Sequence, residues 1–139
     1  MKLPVTIVPL LLLPPLLLLF PLGCGGPASA PGGTKGRVHC GSADLGDIQV
    51  TVHRADHGFF EAVGFGVSGA DGQFELRDNM ADGPLWLTPG KYRFTIESTG
   101  PTVMVWEKAF GDPSKTPLRR VWTEDDSVLD FDLPEPTHE

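Results

Sequence analysis

Four histidines, eighteen carboxylates and three tryptophans are the side chains here with the most chemistry to offer. His53 and His57 stand four apart, the spacing of a helical zinc pair. The residues around them alternate as in a strand with a following loop, so the two do not share a face. No Glu lies between them in the metallopeptidase arrangement. His39 falls on another predicted strand and His138 in the tail, and all four read as solvated, with no metal assigned. Asp78-Asn79-Met80-Ala81-Asp82-Gly83 has the outline of a calcium loop. Met80 stands where a ligand is wanted and Pro89 where the closing Glu belongs, so a turn bonding its own backbone is expected instead. Glu124-Asp125-Asp126 reads as a wet turn, and Ser68, Ser114 and Ser127 lack a nucleophile motif. No catalytic residue and no cofactor is assigned, and the expectation is a chain that is not an enzyme. Trp86, Trp106 and Trp122 admit two readings: cross-strand packing, or an exposed aromatic patch for a protein partner or a glycan.

The reactive residue with an address is Cys24. Leu3 to Leu22 is apolar except for Thr6, and Lys2 is the only charge ahead of it. That length could span a bilayer, but Pro4, Pro9, Pro14, Pro15 and Pro21 each remove a helix donor. A secretory leader over residues 1–23 fits better. Two processing sites compete. Ala28-Ser29-Ala30 has the small-x-small form but is followed by Pro31. Leu22-Gly23-Cys24-Gly25-Gly26 resembles a bacterial lipobox, with Pro21 where Leu is usual. On the second reading Cys24 becomes the new N-terminus and carries palmitate-type acyl chains, more than one of which anchors stably. The expected location is then the bacterial cell envelope, the protein held on the membrane by lipid and facing the periplasm or the cell surface. If Cys24 is acylated, Cys40 has no partner; a Cys24–Cys40 disulfide requires Cys24 to stay free. The formal charge of the chain is −7. Loss of Lys2 with the leader makes it more negative still, which disfavours nucleic acid as a partner.

The elements that would hold these residues are strands. Residues 24–35 are small and polar and read as a flexible tether, Ser29 to Thr34 most clearly. Arg37 to Cys40 is a first strand and Gly41 to Asp47 a loop. Ile48, Val50 and Val52 then alternate with polar residues. Phe59 to Val67 follows, with Gly64 and Gly66 marking a bulge or a close backbone approach. Asp71-Gly72 predicts a hairpin turn. Leu87-Thr88-Pro89-Gly90-Lys91-Tyr92 has the spacing of a tyrosine corner, with Leu87, Pro89, Gly90 and Tyr92 as its structural residues. The Tyr92 ring should pack inward while its hydroxyl bonds backbone near Leu87 or Thr88. Val103 to Trp106, Val121-Trp122 and Leu129 to Leu133 complete about seven strands, with essentially no helix. The expected organisation is a sandwich over 36–134 and a tail at 135–139.

The order Gly36-Arg37-Val38, Ile48 to Val52, Ala70 to Leu76 and Leu87 to Tyr92 resembles the carboxypeptidase regulatory-like domain. The segment Glu107 to Leu118 and the closing Leu129-Asp130-Phe131-Asp132-Leu133 are similar to those of small bacterial lipoproteins of that kind. The resemblance implies an all-β fold: a seven-stranded antiparallel Greek-key sandwich of transthyretin-like form. It further implies a non-enzymatic module and no more; the lipobox-like segment, the sandwich pattern and the missing catalytic site together set the expectation of a non-catalytic module acting in binding or structure at the envelope. Two alternatives stay open. One is a small-ligand binder or hydrolase working as an oligomer, with His53, Arg93 or Lys91 converging in a channel. The other is an assembly subunit using exposed sheet edges. Transthyretin-like hydrolases end in Tyr-Arg-Gly-Ser, whereas this chain ends Pro134-Glu135-Pro136-Thr137-His138-Glu139.

Overall fold

β-branched and aromatic residues alternate with polar ones along most of the chain, and the backbone follows that alternation. A computed structural model describes residues 32–138. The leader, Cys24 and most of the tether lie outside the described residues. Eleven strand segments form: β1 (Lys35–Cys40), β2 (Ala43–Asp44), β3 (Ile48–Asp56), β4 (Phe59–Val67), β5 (Gln73–Glu75), β6 (Arg77–Asp78), β7 (Gly90–Ser98), β8 (Met104–Val105), β9 (Arg119–Trp122), β10 (Val128–Asp132) and β11 (Thr137–His138). The helical content of the described residues is a single 3-10 turn, Lys108–Gly111.

A five-stranded sheet runs β6-β4-β3-β7-β9, and a four-stranded sheet gathers β10, β2 and β5 around β1. The two share one apolar cluster. Val50, Val52, Phe94 and Ile96 come from the larger sheet, and Val38, Phe74, Leu129 and Phe131 from the smaller. Phe94 and Phe131 meet across the gap with ring centroids 4.8 Å apart. The architecture is mostly β in two sheets over a common core, consistent with an all-β sandwich.

Four local expectations need correction. First, the pairing is not wholly antiparallel. β10 lies parallel to β1, with Gly36 opposite Leu129 and Val38 opposite Phe131. A parallel neighbour needs a long return connection, and here nearly the whole fold intervenes. Second, Asp71-Gly72 makes a tight turn but no hairpin. The Asp71 carboxylate accepts the Gln73 amide at 3.1 Å, and the Gly72 amide donates to Gly69 at 2.9 Å. β4 then stays in the larger sheet while β5 pairs with β1 in the smaller, so the turn carries the chain between layers. At Leu76 the chain crosses back, and β6 pairs with β4.

Third, part of the expected tether belongs to the fold, because Gly33 and Thr34 are buried. The Thr34 amide donates to Leu85, its carbonyl accepts from Leu76, and its hydroxyl accepts from Leu87 at 2.9 Å. Short polar composition hid a residue, Thr34, whose amide, carbonyl and hydroxyl are all used. Fourth, the tail is not all loose: Thr137–His138 pairs with Met104–Val105. The loop after β1 likewise contains β2, held by an Arg37–Asp44 ion pair. Beside Gly64 the register between β3 and β4 shifts at Val52/His53, which is the bulge the paired glycines suggested.

Candidate functional site

Pro89-Gly90 turns the chain into β7, whose alternate residues Tyr92, Phe94 and Ile96 face the core. Tyr92 is 3% exposed, and its hydroxyl donates to the Thr88 carbonyl at 2.8 Å. Leu87 packs half-buried against the same cluster. This corner fixes where β7 starts and leaves Lys91 and Arg93 on the opposite face of the sheet.

His39 is tied to the closing strand. The parallel register sets Arg37 opposite Asp130 and His39 opposite Asp132. His39 Nε2 lies 2.6 Å from Asp130 Oδ1, and Nδ1 lies 2.7 Å from the Gly41 carbonyl oxygen. Both partners are acceptors, so both contacts are hydrogen bonds when the ring is the imidazolium, which they therefore favour. The Gly41 carbonyl, then the Asp130 and Asp132 carboxylates, hold His39 above the usual imidazole range against a desolvation that opposes them. His53 behaves in the opposite way. It was expected to be solvated, yet it is buried on the central strand β3 between β4 and β7. Its Nε2 lies 3.0 Å from the Thr95 hydroxyl, its Nδ1 has no partner, and burial pushes its pKa down.

The two histidines therefore bias stability in opposite directions. His39, raised on folding, contributes stability that is whole below about pH 6.5 and is lost as pH rises through its folded value. His53, lowered on folding, contributes stability that is whole above about pH 6.5 and is lost as pH falls through its folded value. Proton NMR titration should put the His39 midpoint above that of His53, and His39→Gln should remove the alkaline loss in urea denaturation. Coincident midpoints would contradict this arrangement.

The other candidate groups are committed locally. The Ser68 hydroxyl donates to the Leu45 carbonyl at 2.7 Å and accepts from the Ile48 amide at 3.0 Å. Ser114 donates both amide and hydroxyl to Asp112. Asp78 accepts the Met80 and Asp82 amides, as a self-bonded turn should. Among the described residues there is no group of three or more His, Cys, Asp or Glu placed to hold a metal. The tryptophans separate. Trp122 is core, Trp106 donates from its indole to the Pro134 carbonyl at 3.0 Å, and Trp86 is 62% exposed.

Sequence reasoning missed the His39–Asp130 bond, although Arg37-x-His39 and Asp130-x-Asp132 carry complementary charges at strand spacing. It also missed Thr116. This residue is fully buried, its hydroxyl donates to the Phe94 carbonyl at 2.7 Å, and it ties the 3-10 turn and following loop to β7.

Arg93 lies opposite His53 in the β3–β7 ladder, with Lys91 two residues before it on the same face. The three residues considered from the sequence thus share one sheet face, where His53 is buried. A cavity of about 430 Å³ lies elsewhere, between β4 and β5 where the layers part, and is lined by Lys35, Phe65, Gln73 and Arg77 among others. No family model matches the chain, and no curated protein and no solved structure matches it.

Proposed function

We propose that this chain is a lipid-anchored, non-catalytic transthyretin-like sandwich that binds or builds at the bacterial cell envelope. Seven of the strands run three residues or longer, which supports the seven-stranded Greek-key reading and its likeness to the carboxypeptidase regulatory-like domain. The Tyr92–Thr88 bond supports it locally.

The observation that carries the anchored reading is the lipobox-like Leu22-Gly23-Cys24-Gly25-Gly26 after an apolar leader. The described residues begin at Gly32, eight residues beyond Cys24. Eight residues reach at most about 30 Å, so a lipid on Cys24 would keep this end of the domain close to the bilayer. Trp86, exposed and with its indole against Gly32, stands at that entrance. An amphipathic indole suits a membrane–water boundary. Cells fed an alkyne fatty acid should label the wild-type chain and leave Cys24→Ala unlabelled. A wild-type chain that stays unlabelled would end the anchored reading.

A further inference from the structure

The outer face of the larger sheet concentrates positive charge in a chain that is otherwise acidic. Arg93 on β7 lies directly opposite Arg119 on β9, and Lys91 lies opposite Val121. Directly paired cross-strand residues have Cβ atoms about 5 Å apart, and like charges there destabilise the ladder. Among the described residues, no ion pair involves Lys91, Arg93 or Arg119, and the chain nevertheless has a formal charge of −7. The fold tolerates this repulsion on an open surface where carboxylates were abundant elsewhere.

The two guanidiniums are also held in place. Arg93 donates through Nη1 to the Pro113 and Ser114 carbonyls, at 3.2 and 2.9 Å. Its guanidinium carbon sits 4.6 Å from the centroid of the Phe60 ring. Arg119 donates through Nε to the Thr116 carbonyl at 3.0 Å. Each side chain is thus oriented through one nitrogen, and among the described residues its other N–H donors have no protein acceptor. Between them is a shallow pocket of about 280 Å³ lined by Ala55, Lys91, Arg93, Arg119 and Val121, with Tyr92 and Arg120 of the same strands. No carboxylate lines it.

We propose that this pocket binds a phosphate group. Two preset guanidinium forks match the oxygens of a tetrahedral anion. Three cations suit a dianion better than a single carboxylate, and an anion between Arg93 and Arg119 turns their repulsion into shared attraction. Ala55 and Val121 supply an apolar wall for whatever carries the phosphate. The inference deepens the reading of this chain as a binding module, and it does not depend on acylation of Cys24. The phosphate belongs either to a small soluble molecule or to a lipid headgroup, and the test separates the two.

The test is an amide NMR titration of the full-length protein in an uncharged detergent, with inorganic phosphate. In parallel, phosphatidylcholine vesicles with and without phosphatidylglycerol are titrated. Expected are shifts centred on Lys91, Arg93 and Arg119–Val121, and a phosphate affinity weakened at least about tenfold by Lys91→Gln/Arg119→Gln. Lys91→Gln alone, at an exposed position whose side chain makes no hydrogen bond or ion pair among the described residues, should show part of the loss. Lys108→Gln, the same charge change on another surface, should show none. A response to inorganic phosphate assigns a soluble ligand. A response only to vesicles containing phosphatidylglycerol, lost in the same double variant, assigns the headgroup. Silence in both titrations overturns the proposal, as does equal weakening by Lys108→Gln, which would mark simple charge screening. Because neither phosphate binding nor its loss reports on fatty-acid labelling, this result and the anchored reading fail separately.

Discussion

Phe131→Ala should cost roughly 3–5 kcal/mol, a large part of the stability of a domain of this size. Phe131 is fully buried in β10. Its ring meets Phe94 of the opposing sheet at 4.8 Å and stacks with Phe74 at 6.4 Å. The Arg120 guanidinium caps it at 4.9 Å from the centroid while donating to the Asp130 carbonyl. Truncation removes the transfer free energy of the ring, leaves a cavity, and dissolves aromatic contacts that add about 0.5–1.5 kcal/mol beyond area. It also strips the packing from under Arg120 at the edge where β9 approaches β10. The cavity cannot collapse easily, because its walls belong to two hydrogen-bonded sheets. Phe131→Leu keeps most of the volume and should cost less than about 1.5 kcal/mol. Urea denaturation with unchanged slope and a lowered midpoint is the readout. An Ala variant within about 1 kcal/mol of wild type would mean that the two sheets do not depend on this contact.

What was legible in the sequence was local. The corner from Leu87 to Tyr92 is six residues, and its hydrogen bond spans four, so spacing alone suffices. The alternation of β3 and β10 placed Ile48, Val50, Val52, Leu129 and Phe131 inward, and all five are buried. Partner choice was not legible. Nothing in Asp71-Gly72 says that β4 and β5 will join different sheets, since a turn encodes a change of direction and not the layer that follows. His39 and Asp130 are 91 residues apart, and only the parallel β1–β10 pairing brings them together.

His53 shows the limit of period-two reasoning. Its position on the wet face was legible, but its burial was not. Burial came from being on the central strand, with Arg93 and Ala62 as its cross-strand neighbours. The cationic face followed the same logic. Lys91 and Arg93 were visible as neighbours on one strand. Arg119 joined them only once β9 was known to be the edge beside β7.

The sharpest failure of local reading is also the place where one atom should matter most. Gly33→Ala should destabilise the protein by at least about 2 kcal/mol, although composition marks the residue as tether. Gly33 has a φ of +101°, a region that L residues rarely adopt. An added Cβ there would overlap the backbone carbonyl oxygen of Leu76, which cannot swing away as a side chain can. That carbonyl accepts the Leu85 amide, and the Leu76 amide donates to Thr34. Leu76 is itself fully buried where the chain crosses between the layers. Relief of the overlap would therefore pull on Thr34, Leu76 and Leu85 together. Gly58 separates a general glycine effect from this contact. It too has positive φ, at +82°, but its added Cβ meets nothing within 4 Å, so Gly58→Ala carries only the conformational cost of about 1 kcal/mol. Denaturation midpoints of the two variants should differ clearly, with amide exchange at Leu76 and Leu85 accelerated only in Gly33→Ala. Equal midpoints would return Gly33 to the tether and move the start of the domain to β1.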